Sequence, residues 1–88
     1  MRIWFREWKD THLLRDYTYE NYDEDTRTHK IWKAIDSACE KLDLAHPIWL
    51  DSNIKDFKRN ADVRFRSDSF QEDIPFDYLE MTVIEEDY

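Results

Sequence analysis

The sequence predicts a small α+β domain: a mostly antiparallel sheet of four to five strands, packed on one long and one short helix, in the order ββ-α-(β)-α-ββ. Three observations carry this. Apolar residues alternate with a period of two near both ends of the chain, they recur with a helical period over residues 26–43, and no linker long enough to divide residues 1–88 lies between these segments. Antiparallel-type strands grouped around two helices argue for α+β over a parallel α/β sheet.

Residues 2–9 open the chain with β-forming residues. Met1, Ile3 and Phe5 fall on one side, while Arg2, Trp4, Arg6 and Trp8 fall on the other. Asp10-Thr11-His12 marks a turn, and residues 13–20 read as the returning strand. No Gly is present to favour a two-residue primed turn, so a longer loop is expected. The acidic run Asp23-Glu24-Asp25-Thr26 precedes a helix over 26–43, with Asp25 or Thr26 as cap and the charges at the positive dipole end. Ile31, Ala34, Ile35, Ala38, Cys39 and Leu42 span about 140° of the helix wheel, one core-facing side. His46-Pro47 stops the helix. Ile48-Trp49-Leu50 is then a short strand or an extended crossover.

Asp51-Ser52-Asn53 offers caps for a short second helix, with Ile54, Phe57 and Ala61 on its inner side and Asn60 as a left-handed stop. Residues 62–66 form a central short strand, Val63 and Phe65 inward, Arg64 and Arg66 outward. The last strand runs over about 77–86, with Leu79, Met81 and Val83 facing the core and Tyr78, Glu80, Thr82, Ile84 and Glu86 facing away. Ile31, Ile35, Ala38, Leu42, Phe5, Phe65, Leu79, Met81 and Val83 are the expected core.

Composition narrows the function. A chain of 88 residues buries only about two-thirds of its unfolded surface, which leaves little room for an enclosed active site. Four Trp, five Tyr and five Phe supply large buried areas instead of disulfides. A single cysteine and the lack of a secretory leader point to the cytoplasm, and the short apolar runs exclude a membrane span. Gly is absent, where about six would be average. Phosphate cradles, dinucleotide fingerprints and nucleophile elbows therefore have no usual form here. The net charge of −8 is local: residues 67–88 hold eight of the 21 acidic residues and no Lys or Arg, while residues 1–66 carry 13 of each sign. That balance speaks against direct nucleic-acid binding.

No catalytic or metal constellation emerges. His12, His29 and His46 have no ligand spacing, and Cys39 has no cysteine partner. His29 and Cys39 share a helix but stand about 15 Å apart along it, so they form no dyad. Asp23-Glu24-Asp25 lacks the alternation and glycine of a calcium loop. The expectation is no enzyme, no cofactor and no metal.

The distinctive feature is the outer sheet face, where Trp4, Arg6, Trp8, Arg64, Arg66, Tyr78 and Glu80 gather; Glu85, Glu86 and Asp87 add an acidic terminus. Arg over Trp and Arg opposite Glu make either a self-satisfied ladder or an aromatic layer covered by the second helix. Trp, Tyr and Arg also dominate binding hot spots, so the alternative is a recognition surface. Across Asp25-Thr26-Arg27-Thr28-His29-Lys30, Pro47-Ile48-Trp49-Leu50-Asp51-Ser52 and Phe76-Asp77-Tyr78-Leu79-Glu80, the chain resembles a group of short uncharacterised bacterial proteins. That resemblance implies a bacterial intracellular origin and no particular activity. The leading expectation is a non-enzymatic interaction or regulatory module whose partner is another protein. The alternative is an acidic nucleic-acid mimic that inhibits a DNA- or RNA-binding protein. Self-association is open but not indicated.

Overall fold

A computed structural model describes residues 1–87. The elements are β1 (Arg2–Lys9), β2 (His12–Glu20), α1 (Arg27–Leu42), α2 (Asp51–Asn60), β3 (Asp62–Arg66), a 3-10 turn at Ser67–Ser69, and β4 (Tyr78–Glu85). The four strands form one antiparallel sheet in the order β2-β1-β4-β3, so the fold is α+β as expected. Residues 48–50 cross over in extended form without pairing into the sheet, and the optional fifth strand is not made. The short strand β3 is not central; it forms one edge of the sheet.

Alternation places Ile3, Phe5, Val63, Phe65, Leu79 and Met81 on one face, and both helices pack there. Of the expected core residues, Ile31, Ile35, Ala38, Leu42, Phe5, Phe65, Leu79 and Met81 are buried, and Val83 packs half-buried against them. Trp49 from the crossover sets its ring edge-on to Phe57 and Phe65, at centroid distances of 5.5 and 5.0 Å, which locks α2 to β3.

The missing glycines leave a visible cost. Asp10, Thr11, Asp43 and Ala61 all adopt positive φ, between 50° and 65°. The β1–β2 connection is the two-residue turn Asp10-Thr11, not a longer loop. The start of β4 braces it: the Asp10 N–H donates to Asp77 Oδ2 at 2.9 Å, and the Asp77 N–H donates to the Trp8 carbonyl at 2.8 Å. A register shift at Glu7/Trp8 accompanies the tight turn. Asp43 closes α1, and Ala61 closes α2 where Asn60 was expected.

Thr26 caps α1, its Oγ1 accepting the His29 N–H at 3.2 Å. Helix α2 begins differently from expectation. Leu50 is its first flanking residue, and Asn53 turns inward, accepting the Leu50 N–H at 2.9 Å and donating to the Arg64 carbonyl at 3.2 Å. Asn53 thus takes the inner position beside Phe57 and also covers part of the open edge of β3. Ile54, expected inward, points to solvent.

Candidate recognition surface on the open sheet face

Because both helices lie on one side, the opposite face of the sheet is left uncovered. The structure brings Trp4, Arg6, Trp8, Arg64, Arg66, Tyr78 and Glu80 together on it. Three strands supply them at matched register: Arg6 stands opposite Glu80, Trp8 opposite Tyr78, Arg64 opposite Glu80 and Arg66 opposite Tyr78. The covering of an aromatic layer by the second helix, one of the two structural readings, does not occur.

Most polar groups of the face bond within its own plane, while the buried Nε atoms of Arg2 and Arg6 have no hydrogen-bond partner among the described residues. Trp4 Nε1 donates to Asp16 Oδ2 at 2.9 Å, and Trp8 Nε1 donates to Glu80 Oε1 at 3.2 Å. Arg6 lies over the Trp4 ring at 4.1 Å, and its guanidinium donates to the Thr82 hydroxyl and sits 3.3 Å from Glu80. Thr82 in turn donates to Asp62 Oδ2 at 2.5 Å. Arg64 and Arg66 flank Tyr78 at 5.0 and 5.1 Å from its ring centroid, and Arg64 Nε donates to Glu80 Oε2 at 3.4 Å. Glu80 is 7% exposed although it faces outward, because three arginine and tryptophan side chains lean on it. Glu80 and its neighbour Asp62 split in titration. Burial pushes the Asp62 carboxyl up. Burial acts the same way on Glu80, but the hydrogen bond with Asp62 and the charges of Arg6 and Arg64 outweigh it and hold Glu80 below its ordinary value.

Charge on this face nearly cancels. Arg2, Arg6, Arg64 and Arg66 are interleaved with Asp16, Glu20, Asp62, Glu80 and Glu85 across the strands. A polar groove of about 600 Å³ runs beside it along the β3 edge, between Asp56, Asp62, Arg64, Arg66 and Asp68.

Glu86 and Asp87 do not join the surface, and Glu85 reaches only its margin, opposite Arg2 at the end of the sheet. Glu86 accepts from Arg27 at the start of α1, at 2.8 Å. Asp87 bridges two buried cations, the Met1 ammonium at 2.8 Å and Lys30 Nζ at 2.7 Å, and those charges hold its carboxyl below the usual range. The acidic terminus is therefore a clasp between the chain ends and α1.

Reasoning from the sequence missed Glu7. It lies on the core face at 2% exposure, its two carboxylate oxygens accepting from Arg15 Nε and Nη2 at 2.8 Å each. The signal was present: Glu7 continues the inward series Met1, Ile3, Phe5.

Groups with chemical potential are dispersed. His29 pairs with Asp25 at 2.9 Å and His46 with Asp36 at 2.6 Å, both in the open. Cys39 is buried, and that burial pushes its thiol up to about 11. Among the described residues, no cluster of three His, Cys, Asp or Glu is placed to hold a metal ion. No helix among them is long and apolar enough to cross a membrane. Comparison with protein-family models, curated proteins and solved structures returns no match.

Proposed function

We propose that this protein is a small non-enzymatic interaction module that presents its open sheet face to another protein. The observation that carries this reading is a set of Trp, Tyr and Arg side chains uncovered by either helix, with Trp4, Arg6, Trp8 and Arg64 held by cross-strand hydrogen bonds and Tyr78 flanked by Arg64 and Arg66. Side chains held in place before binding lose little rotamer entropy on contact, about 0.5–1.5 kcal/mol less for each one immobilised in advance. Trp4, Trp8 and Tyr78 supply the amphipathic area that anchors interfaces.

The lack of net positive charge on the face favours a protein surface over nucleic acid, since a phosphate backbone is held by an excess of cations. The nucleic-acid-mimic reading loses ground as well. A mimic needs free carboxylates spread over a surface, and here Glu80, Glu86 and Asp87 each sit on an internal cation.

The test is a paired capture from the native host. Wild-type protein and a folded Trp8→Ala, Arg66→Ala variant serve as baits, and bound proteins are quantified by mass spectrometry. A partner held by the wild type and lost from the variant supports the reading. Equal recovery on both baits refutes it.

A further inference from the structure

The sheet has two edges, and they are finished differently. At β3 the Arg64 carbonyl accepts from Asn53, and α2 packs alongside. The other edge is β2, nine residues long, and it is open. The direction of its backbone groups follows from the first pair of the ladder. The Asn21 N–H donates to the Met1 carbonyl at 3.0 Å, and the Met1 ammonium donates to the Asn21 carbonyl at 2.9 Å. Bonded pairs alternate along an antiparallel ladder, so Tyr19, Tyr17 and Arg15 bond to β1, while Glu20, Thr18 and Asp16 turn their N–H and C=O groups outward. Among the described residues, none of these six groups has a partner. Residues 15–20 also contain no proline, lysine or bulge, three of the devices that keep a natural sheet edge from taking on another strand.

We propose that β2 pairs with β2 of a second copy of this chain, antiparallel about a two-fold axis, joining two four-stranded sheets into one of eight strands. The sequence of the strand selects this partner. In a two-fold pairing one central residue meets its own copy, and its neighbours meet in mirrored order. Registers centred on Arg15 or Asp16 set like charge on like charge, and a register centred on Thr18 sets Asp16 on Glu20 twice. One centred on Tyr19 runs past the end of the strand. Centred on Tyr17, the strand is its own complement: Tyr17 meets Tyr17, Arg15 meets Tyr19, Asp16 meets Thr18 and Leu14 meets Glu20. No like charges stand opposite one another in this register. The Asp16–Thr18 pairs fall where the backbone groups point outward, so each pair exchanges two hydrogen bonds, and Arg15 comes beside an aromatic ring. That self-complementarity points to a second copy over a different chain.

The axis stands perpendicular to the sheet, so the two open faces end side by side on one surface. The dimer is then bivalent for a partner of the sheet face, although its formation does not rest on that reading.

The experiment follows amide hydrogen exchange by NMR in the full chain at roughly 0.02 and 1 mM, a span that brackets the weak association of a small interface. About 500 mM NaCl screens the repulsion of two copies at −8 each. The Asp16, Thr18 and Glu20 amides are expected to exchange at least about fivefold more slowly at the higher concentration, the protection reached when about four-fifths of the chains are paired. The Tyr17 and Tyr19 amides, bonded to β1, should be slow at both. Sedimentation equilibrium then compares variants of an exposed position. Thr18→Glu sets like charge against Asp16 and should stay monomeric, whereas Thr18→Lys sets an opposite charge there and should pair at lower concentration than wild type. Trp8→Ala should pair like wild type, which separates this proposal from the sheet-face reading. Exchange at Asp16, Thr18 and Glu20 that does not change with concentration overturns the proposal. So does a Thr18→Glu variant that pairs as well as Thr18→Lys, or a Trp8→Ala variant that does not pair.

Discussion

Removing Arg15 should damage this fold more than its half-exposed position suggests. The Glu7 carboxylate is 2% exposed and takes both of its charged hydrogen bonds from the Arg15 guanidinium at 2.8 Å. Arg15 Nη2 also donates to the Leu42 carbonyl at 2.9 Å, tying the last turn of α1 to β2. Arg15→Ala leaves a carboxylate on the core face with no donor. A fully buried orphan of this kind costs about 3–5 kcal/mol; water entering where the half-exposed Arg15 stood reduces this to about 2–3 kcal/mol. In urea, with a slope near 1 kcal/mol/M for so small a domain, the midpoint should fall by about 2–3 M. Glu7→Leu combined with Arg15→Leu should recover most of the loss, since an apolar pair needs no partner. About 1 kcal/mol should remain for the lost bond to Leu42. Equilibrium unfolding followed by Trp fluorescence reads all three proteins. If Arg15→Ala costs less than about 1 kcal/mol, or if the double variant is the least stable, the charge at Glu7 is not held as described.

Three further outcomes follow from the same structure. Thr11→Gly and Ala61→Gly relieve left-handed backbone, worth about 1–2 kcal/mol, against about 0.5–1 kcal/mol of extra unfolded-state entropy; each should raise the urea midpoint slightly, and a fall in either would contradict the strain. Cys39 should react with Ellman's reagent at pH 8 only in denaturant, because its thiol is buried and raised to about 11; rapid labelling of the native protein would refute its placement. Asp25, held low by Lys33 and then His29, and Asp87, held low by Lys30 and the N-terminus, contribute stability above the ordinary Asp value near 3.9. That contribution should drain away as pH falls from about 4 toward their folded values, and the gap between wild type and Asp87→Asn should close over the same range. Parallel pH curves for the two proteins would contradict the clasp.

The elements were legible where periodicity is strong. The inward face of α1, the alternation of β1 and the Arg64/Arg66 face of β3 all follow from residue spacing alone. Legibility failed where long-range contacts override local preference. Asp10-Thr11 adopts a glycine-like turn because Asp77, far along the chain, receives the Asp10 N–H. Asn53 turns inward because the edge of β3 offers it a carbonyl. Ile54 turns outward for the same rotation of α2, and that opens a groove beside Trp32. Seven of the ten residues expected on the recognition surface meet there, since strand alternation fixes their side. Glu85 pairs with Arg2 at the margin of the face, beyond a register shift; Glu86 and Asp87 lie past the pairing, drawn aside by Arg27, Lys30 and the N-terminus, which no sequence pattern links to them.

The open sheet face is the centre of this account, and dissociation kinetics test it most directly. The partner returned by the wild-type bait is immobilised, and surface plasmon resonance compares wild type with Trp4→Ala and Trp8→Ala. Each variant should dissociate at least about thirty times faster, the equivalent of a hot-spot loss of about 2 kcal/mol, with little change in association rate. If both folded variants associate and dissociate like wild type, the Trp–Arg face is a structural ladder and the partner binds elsewhere.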